Sequence, residues 1–126
     1  MKINTALVCF VVTILGGSLA HERAWCAGQD DTKPKMTQAS IAAKGMEEVC
    51  VKVAPPESLR YAFTATGQLN FSVHYHAGDN VHFPVPGHVT SSEKNSFTPT
   101  SAQDYCLMWE NTGSEAVDLR LEYEKT

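Results

Sequence analysis

The sequence predicts an all-β chain, an antiparallel β-sandwich carrying one structural disulfide. Three observations lead there. Short runs with two-residue alternation recur from residue 48 to residue 123, turn residues separate them, and no long stretch has helical periodicity. The clearest run is 71–85, Phe-Ser-Val-His-Tyr-His-Ala-Gly-Asp-Asn-Val-His-Phe-Pro-Val, which reads as a β-hairpin turning at Ala77-Gly-Asp-Asn80.

Met1-Lys2 is a short basic start, residues 3–15 are apolar apart from Asn4, Thr5 and Thr13, and Gly16 to Ala20 are mostly small. This is the pattern of a secretory signal peptide covering 1–20, with a later cut in 24–27 left open. The apolar run is short for a membrane span. The expectation is therefore a periplasmic or secreted domain with no stable membrane insertion after cleavage. Roughly 106 of the 126 residues would remain, enough for one domain with a core.

Residues 21–46 are expected to form a polar N-terminal tail or tether. Within them 28–38 is polar and broken by Pro34. Residues 39–48 have helix-forming composition interrupted by Gly45, so a short helical turn or an irregular lead-in is expected there. The domain itself is placed at 47–126. Residues 48–53 form a strand stopped by Pro55-Pro56, and 59–65 alternates Leu59, Tyr61 and Phe63 against Arg60, Ala62 and Thr64. Thr66-Gly67-Gln68 reads as a turn. Residues 86–104 hold Ser, Thr, Pro and Gly throughout and read as a long loop. The nearly continuous apolar run 105–110 reads as a central strand. After a turn at 111–114, Val117, Leu119, Leu121 and Tyr123 share one side of the last strand. Pro84 and Pro86 lack backbone donors, which places the second strand of the hairpin at a sheet edge.

In the hairpin, Phe71, Val73 and Tyr75 share one face of the first strand, and Val81, Phe83 and Val85 one face of the second. If these six enter the core, His74, His76 and His82 project outward. His88 follows just beyond. Neutral imidazole suits copper and zinc, so these four histidines are the candidate metal ligands. A three-residue loop would pair His76 with His82 directly, and a two- or four-residue loop would set them on a diagonal. The plain alternative is a solvent-facing wall. The sequence also resembles a cupin metal motif at His74-x-His76, but it lacks that motif's glutamate and its second hairpin.

Of four cysteines, Cys9 lies inside the signal. Cys50 and Cys106 sit in apolar strand-like runs and Cys26 in a polar approach, so Cys50 is paired with Cys106. Cys26 is left as an odd thiol or is lost with the signal. A net charge of −4 with no basic cluster argues against nucleic acid as partner. No nucleophile elbow, phosphate loop or recognisable carboxylate pair is present, so no enzyme is expected. Met108 reads as core filler, and Trp109, Tyr105 and Tyr123 as core or sheet-face aromatics. Glu110 is either a surface residue or a partner for Arg120 across the final turn.

Glu47-Glu-Val-Cys50, Leu59-Arg-Tyr-Ala-Phe63, Leu69-Asn-Phe-Ser-Val-His74 and Tyr105-Cys-Leu-Met-Trp-Glu-Asn111 together resemble the GOLD (Golgi dynamics) domain of emp24-type cargo adaptors. The resemblance covers about 47–124 and implies a β-sandwich, a binding role and the same Cys50–Cys106 pairing. Those adaptors continue into a coiled coil and a membrane span, and the expectation here is a domain without either. The likeness is to a stand-alone, exported, bacterial-type version, and the hairpin histidines lie outside its pattern. Two functions are thus expected. One is a non-catalytic binding or adaptor domain with a protein or small-molecule partner, docking on the sheet face or on 86–104. The other is a small metal-binding protein that uses His74, His76, His82 and His88.

Overall fold

The computed structural model describes residues 33–126, and the expected signal peptide, Cys9 and Cys26 lie outside them. The described chain is all-β, with six strands and no helix. The strands are β1 (Lys35–Ile41), β2 (Met46–Val53), β3 (Leu59–Ala77), β4 (Asn80–Phe97), β5 (Gln103–Glu110) and β6 (Val117–Lys125). They form one antiparallel sheet in the order β1-β6-β3-β5-β2, with β4 paired to the other edge of β3.

The long strand β3 organises the sheet. Its residues 59–65 pair with β6, and residues 70–74 pair with β5. β4 follows β3 along nearly its whole length. The sheet therefore has two walls that share β3 and β4. The first is β1, β6 and residues 59–65 of β3. The second is β2, β5 and residues 69–77. They face each other, as in a sandwich, yet belong to one curled sheet. Phe63 of the first wall meets Phe71 at 4.8 Å and Trp109 at 5.4 Å in the second, and Tyr61 meets Phe71 at 5.4 Å.

Alternation explains which residues fill the space between the walls. Leu59, Tyr61, Phe63, Leu69, Phe71 and Val73 point inward from β3, and Leu119 and Leu121 from β6. On β5, Tyr105, Leu107 and Trp109 point inward, as expected for the aromatics, whereas Met108 lies half-buried on the outer side and is not core filler. β5 lies between β3 and β2, the central position its apolar run predicts. Asn111 ties the end of β5 to the β1–β2 connection. Its side-chain NH2 donates to the carbonyls of Ile41 and Glu115, at 3.0 and 2.7 Å.

Cys50 and Cys106 are bonded, and they are directly paired residues of β2 and β5. The all-β class and this disulfide are as the sequence predicts. Four local expectations are corrected. Residues 35–41 are a strand paired along its length with β6, so the tether expected over 21–46 contains β1, and the ordered domain begins before residue 47. Thr37 and Ala39 are short and half-buried and Ile41 alone on that face is a large buried residue, which hides a strand among polar residues. No helical turn forms over 39–48, where Lys44, at φ 64°, and Gly45 join two strands. Thr66-Gly67-Gln68 is not a turn but an irregularity within β3, where the pairing with β4 shifts register. Residues 86–97 are not loop either. They complete β4, whose Ser and Thr residues take an exposed edge instead of a core face.

Candidate functional site

The hairpin turns on two residues, Gly78-Asp79, between the paired Ala77 and Asn80. Gly78 has φ 61° and Asp79 has no positive φ, the pattern of a type II′ turn, in which glycine takes the first central position. That turn pairs His76 with Val81 and Tyr75 with His82. Directly opposed residues share a face, so His76 and His82 lie on opposite faces of the hairpin.

The predicted alternation of the second strand is broken by bulges. From Val73↔Val85 to Tyr75↔His82, β3 advances two residues while β4 advances three. The same happens between Phe71↔His88 and Val73↔Val85. Pro84 and Pro86 lie in these two segments, where a missing N–H costs no ladder bond. Each bulge reverses the parity of β4. Val85 therefore stays on the core side, opposite Val73. Val81 and Phe83 turn to the outer side and remain 45% and 49% exposed. The expectation that all three enter the core is corrected on this ground.

The four candidate histidines are not brought together. His74 and His76 share the outer face of β3, with ring centroids 5.2 Å apart. His74, expected to project into solvent, is buried at 5% exposure, with Phe83 against its ring at 5.7 Å. His82 stacks on Tyr75 at 4.9 Å, on the other face. There it adjoins an open cavity of about 350 Å3 lined by Tyr75, Phe97 and Tyr105 with Thr98 and Thr100. His88 lies edge-on to Phe71 at 5.7 Å. Its Nδ1 is 3.0 Å from the Pro86 carbonyl and its Nε2 3.2 Å from Glu93 Oε1. The Pro86 carbonyl, then the Glu93 carboxylate, raise the His88 pKa above its usual value. Glu93 also accepts from the Tyr61 hydroxyl at 3.4 Å. Burial, with the Glu93 charge added, pushes that phenol well above the ordinary tyrosine range.

Around His74 a different group assembles. His74 on β3, Cys106 on β5 and Cys50 on β2 are successive cross-strand partners and form one row on the outer face of the second wall. The next row is Ser72, Met108 and Glu48. Glu48 Oε1 lies 3.2 Å from His74 Nε2 and 3.5 Å from Cys50 Sγ. Ligand atoms of Glu48, His74 and Cys106 all lie within 4.8 Å of one another. Ser72 Oγ and His74 Nδ1, both on this face, are buried without a hydrogen-bond partner, an uncommon state for polar atoms. Glu48 was not singled out from the sequence. The signal for it is parity: two residues before Cys50 on one strand, it must share that cysteine's face.

A third row comprises Val89, Asn70, Glu110 and Met46. Glu110 accepts from Asn70 Nδ2 at 2.7 Å, and Arg120 belongs to the other wall, so the alternative pairing of Glu110 with Arg120 is not formed. Met46, Val81, Phe83 and Val89 therefore all lie on the outer face of the second wall. Of the large exposed hydrophobics among the described residues, Met36 alone lies on the first wall.

No family model and no curated protein matches the chain. Among solved structures it is similar to the crystal structure of the Yersinia pseudotuberculosis-derived mitogen. The TM-score is 0.53 at 16% identity, covering 74% of this chain and 86% of that one. It also aligns with a de novo designed double-stranded beta-helix at a TM-score of 0.42 and 20% identity, over 71% of this chain and 99% of the design. The first likeness is one of fold.

Proposed function

We propose that the protein is an exported, non-catalytic binding domain whose contact surface is the outer face of the second wall. One observation carries this reading. Met46, Val81, Phe83 and Val89 are 45–66% exposed on that single face, against Met36 alone on the first wall, and this one-sided exposure of apolar side chains supports an interaction surface there. Glu48, Glu110 and Asp104 share the face with one cation, Lys52. The partner that fits is a protein segment with an apolar centre and a basic rim. A second copy of this acidic face fits less well, because like charges would meet. Export is supported by the signal-like N-terminus and by the disulfide. The GOLD-like reading is supported by the Cys50–Cys106 pairing it implied.

The test is crosslinking of the domain in its own compartment, comparing the unmodified chain with Phe83→Asp, Val89→Asp and the control Met36→Asp. Capture of one basic-rimmed partner, lost in the first two variants and kept in the third, is the expected result. Equal capture by all four chains, or none, overturns the reading. A dimer abolished by Phe83→Asp makes a second copy the occupant and overturns the assigned partner chemistry.

Metal handling is a second reading, favoured by the 3.2 Å between Glu48 Oε1 and His74 Nε2. Two donors on one tetrahedral ion at about 2.0–2.1 Å lie roughly 3.3 Å apart. In this reading copper or zinc binds Glu48 and His74, with His76 beside them, and not the set of four hairpin histidines.

A further inference from the structure

We propose that the Cys50–Cys106 disulfide masks a thiolate metal site, and that its reduction opens a tetrahedral position for a d10 cation such as zinc. The ligands are Cys50, Cys106, His74 and Glu48. This shares His74 and Glu48 with the metal reading above but differs in requiring the reduced protein.

Placement is the first argument. His74, Cys106 and Cys50 occupy one cross-strand row of three adjacent strands, with Glu48 one pleat away on the same face. Ligand atoms of Glu48, His74 and Cys106 already lie within 4.8 Å of one another, and the Cys50 sulfur is 3.5 Å from the Glu48 carboxylate. Two sulfurs, an imidazole and a carboxylate are a donor set that zinc accepts. While the sulfurs are bonded to each other neither is a thiolate, and that donor set does not exist.

Burial is the second argument. His74 and Ser72 are withdrawn from water, and His74 Nδ1 and Ser72 Oγ have no partner. A polar patch kept dry beside two sulfurs is unusual for a plain outer wall. Cys50, in contrast, is exposed on β2, the last strand of the sheet order, where a reductant can reach it.

The redox step balances with a dithiol reductant. One of its thiolates attacks the Cys50 sulfur, the S–S bond breaks, and Cys106 leaves as thiolate. The second reductant thiol then displaces Cys50. The dithiol becomes a disulfide, giving up two electrons and two protons to the cysteine pair. Zinc binding then releases the two cysteine protons.

The experiment uses the full chain carrying Cys9→Ser and Cys26→Ser, so that the only thiols are Cys50 and Cys106. Oxidised and phosphine-reduced forms are titrated with Zn2+ against a chromophoric chelator, and with Co2+ to observe thiolate-to-metal charge transfer. The expected result is one equivalent bound by the reduced form about 100-fold more tightly than by the oxidised form, with a cobalt–thiolate band. His74→Ala should weaken binding by about tenfold or more, whereas His82→Ala leaves it unchanged. Equal binding by both forms overturns the masking proposal and leaves the Glu48–His74 reading standing. Thiolate binding indifferent to His74→Ala overturns the assigned ligand set. Absence of binding in both forms sinks both readings. Circular dichroism accompanies each titration. If reduction unfolds the chain and zinc does not restore the folded spectrum, the proposal also fails.

Discussion

The two parts of β3 have the same alternating sequence pattern but different outer faces. In the first wall, Arg60 and Thr64 stand in solvent opposite the buried Leu59, Tyr61 and Phe63, and Arg60 pairs with Glu124 at 3.3 Å. In the second wall, Ser72 and His74 are buried on the outer side, as Phe71 and Val73 are on the inner. The first wall has an inside and an outside. The second has an apolar inside and an outer face that is buried at Ser72, His74 and Cys106 but exposed around them, at Glu48, Cys50 and His76. Alternation predicts which residues share a face where no bulge intervenes. It does not predict which faces are wet.

The largest effect is expected from Trp109→Ala, at the contact between the two walls. Trp109 is fully buried and contacts Phe63 of one wall and Phe71 of the other. A loss of about 3–5 kcal/mol in urea unfolding is expected, and a loss under about 1 kcal/mol would mean that the walls do not share a core. Removing the disulfide with Cys50→Ala and Cys106→Ala acts only on the second wall. Its two ends are 56 residues apart in sequence, and closing so long a loop stabilises by about 2–4 kcal/mol. An unchanged denaturation midpoint after this substitution would contradict a structural role.

Much of this architecture was legible in the sequence, and the exceptions share a cause. The strands at 48–53, 59–65, 105–110 and 117–123 were readable because one face of each is apolar and buried. The disulfide was readable because both cysteines lie in such strands. β1 and the end of β4 were not, since they are edge strands whose exposed Ser, Thr and Gln leave no hydrophobic period. Strict alternation carried through Pro84 and Pro86 would bring Val81 and Phe83 to the core side with Val85. Bulges there change the parity, and the two prolines, which fit a plain sheet edge equally well, do not distinguish the two cases. Glu48 entered the site only once the β2–β5–β3 pairing placed its row beside that of His74.

Smaller effects sharpen the contrast between outer faces. Arg60→Ala on the first wall removes a solvent-exposed ion pair and should cost about 0.2–1 kcal/mol, less in high salt. A salt-independent loss well above that would show that the first outer face is not simply wet. The smallest expected effect is the titration of His88, which should occur above its ordinary value in the folded protein and move down in Glu93→Gln. Because the folded pKa is the higher one, the His88 contribution to stability is fully present below its unfolded pKa and is lost as pH rises through its folded pKa. Proton-by-proton NMR titration of the five histidines checks both points, and a His88 curve unmoved by Glu93→Gln would contradict the pairing.

The bulged register of β4 puts Phe83 beside His74 on the outer face and not in the core. Nuclear Overhauser contacts from the Phe83 ring test this most directly. The register predicts contacts from Phe83 to the His74 ring and none to Val73 or Leu107. Contacts to Val73 and Leu107, with none to His74, would place Phe83 in the core and contradict the assignment of that face as a site.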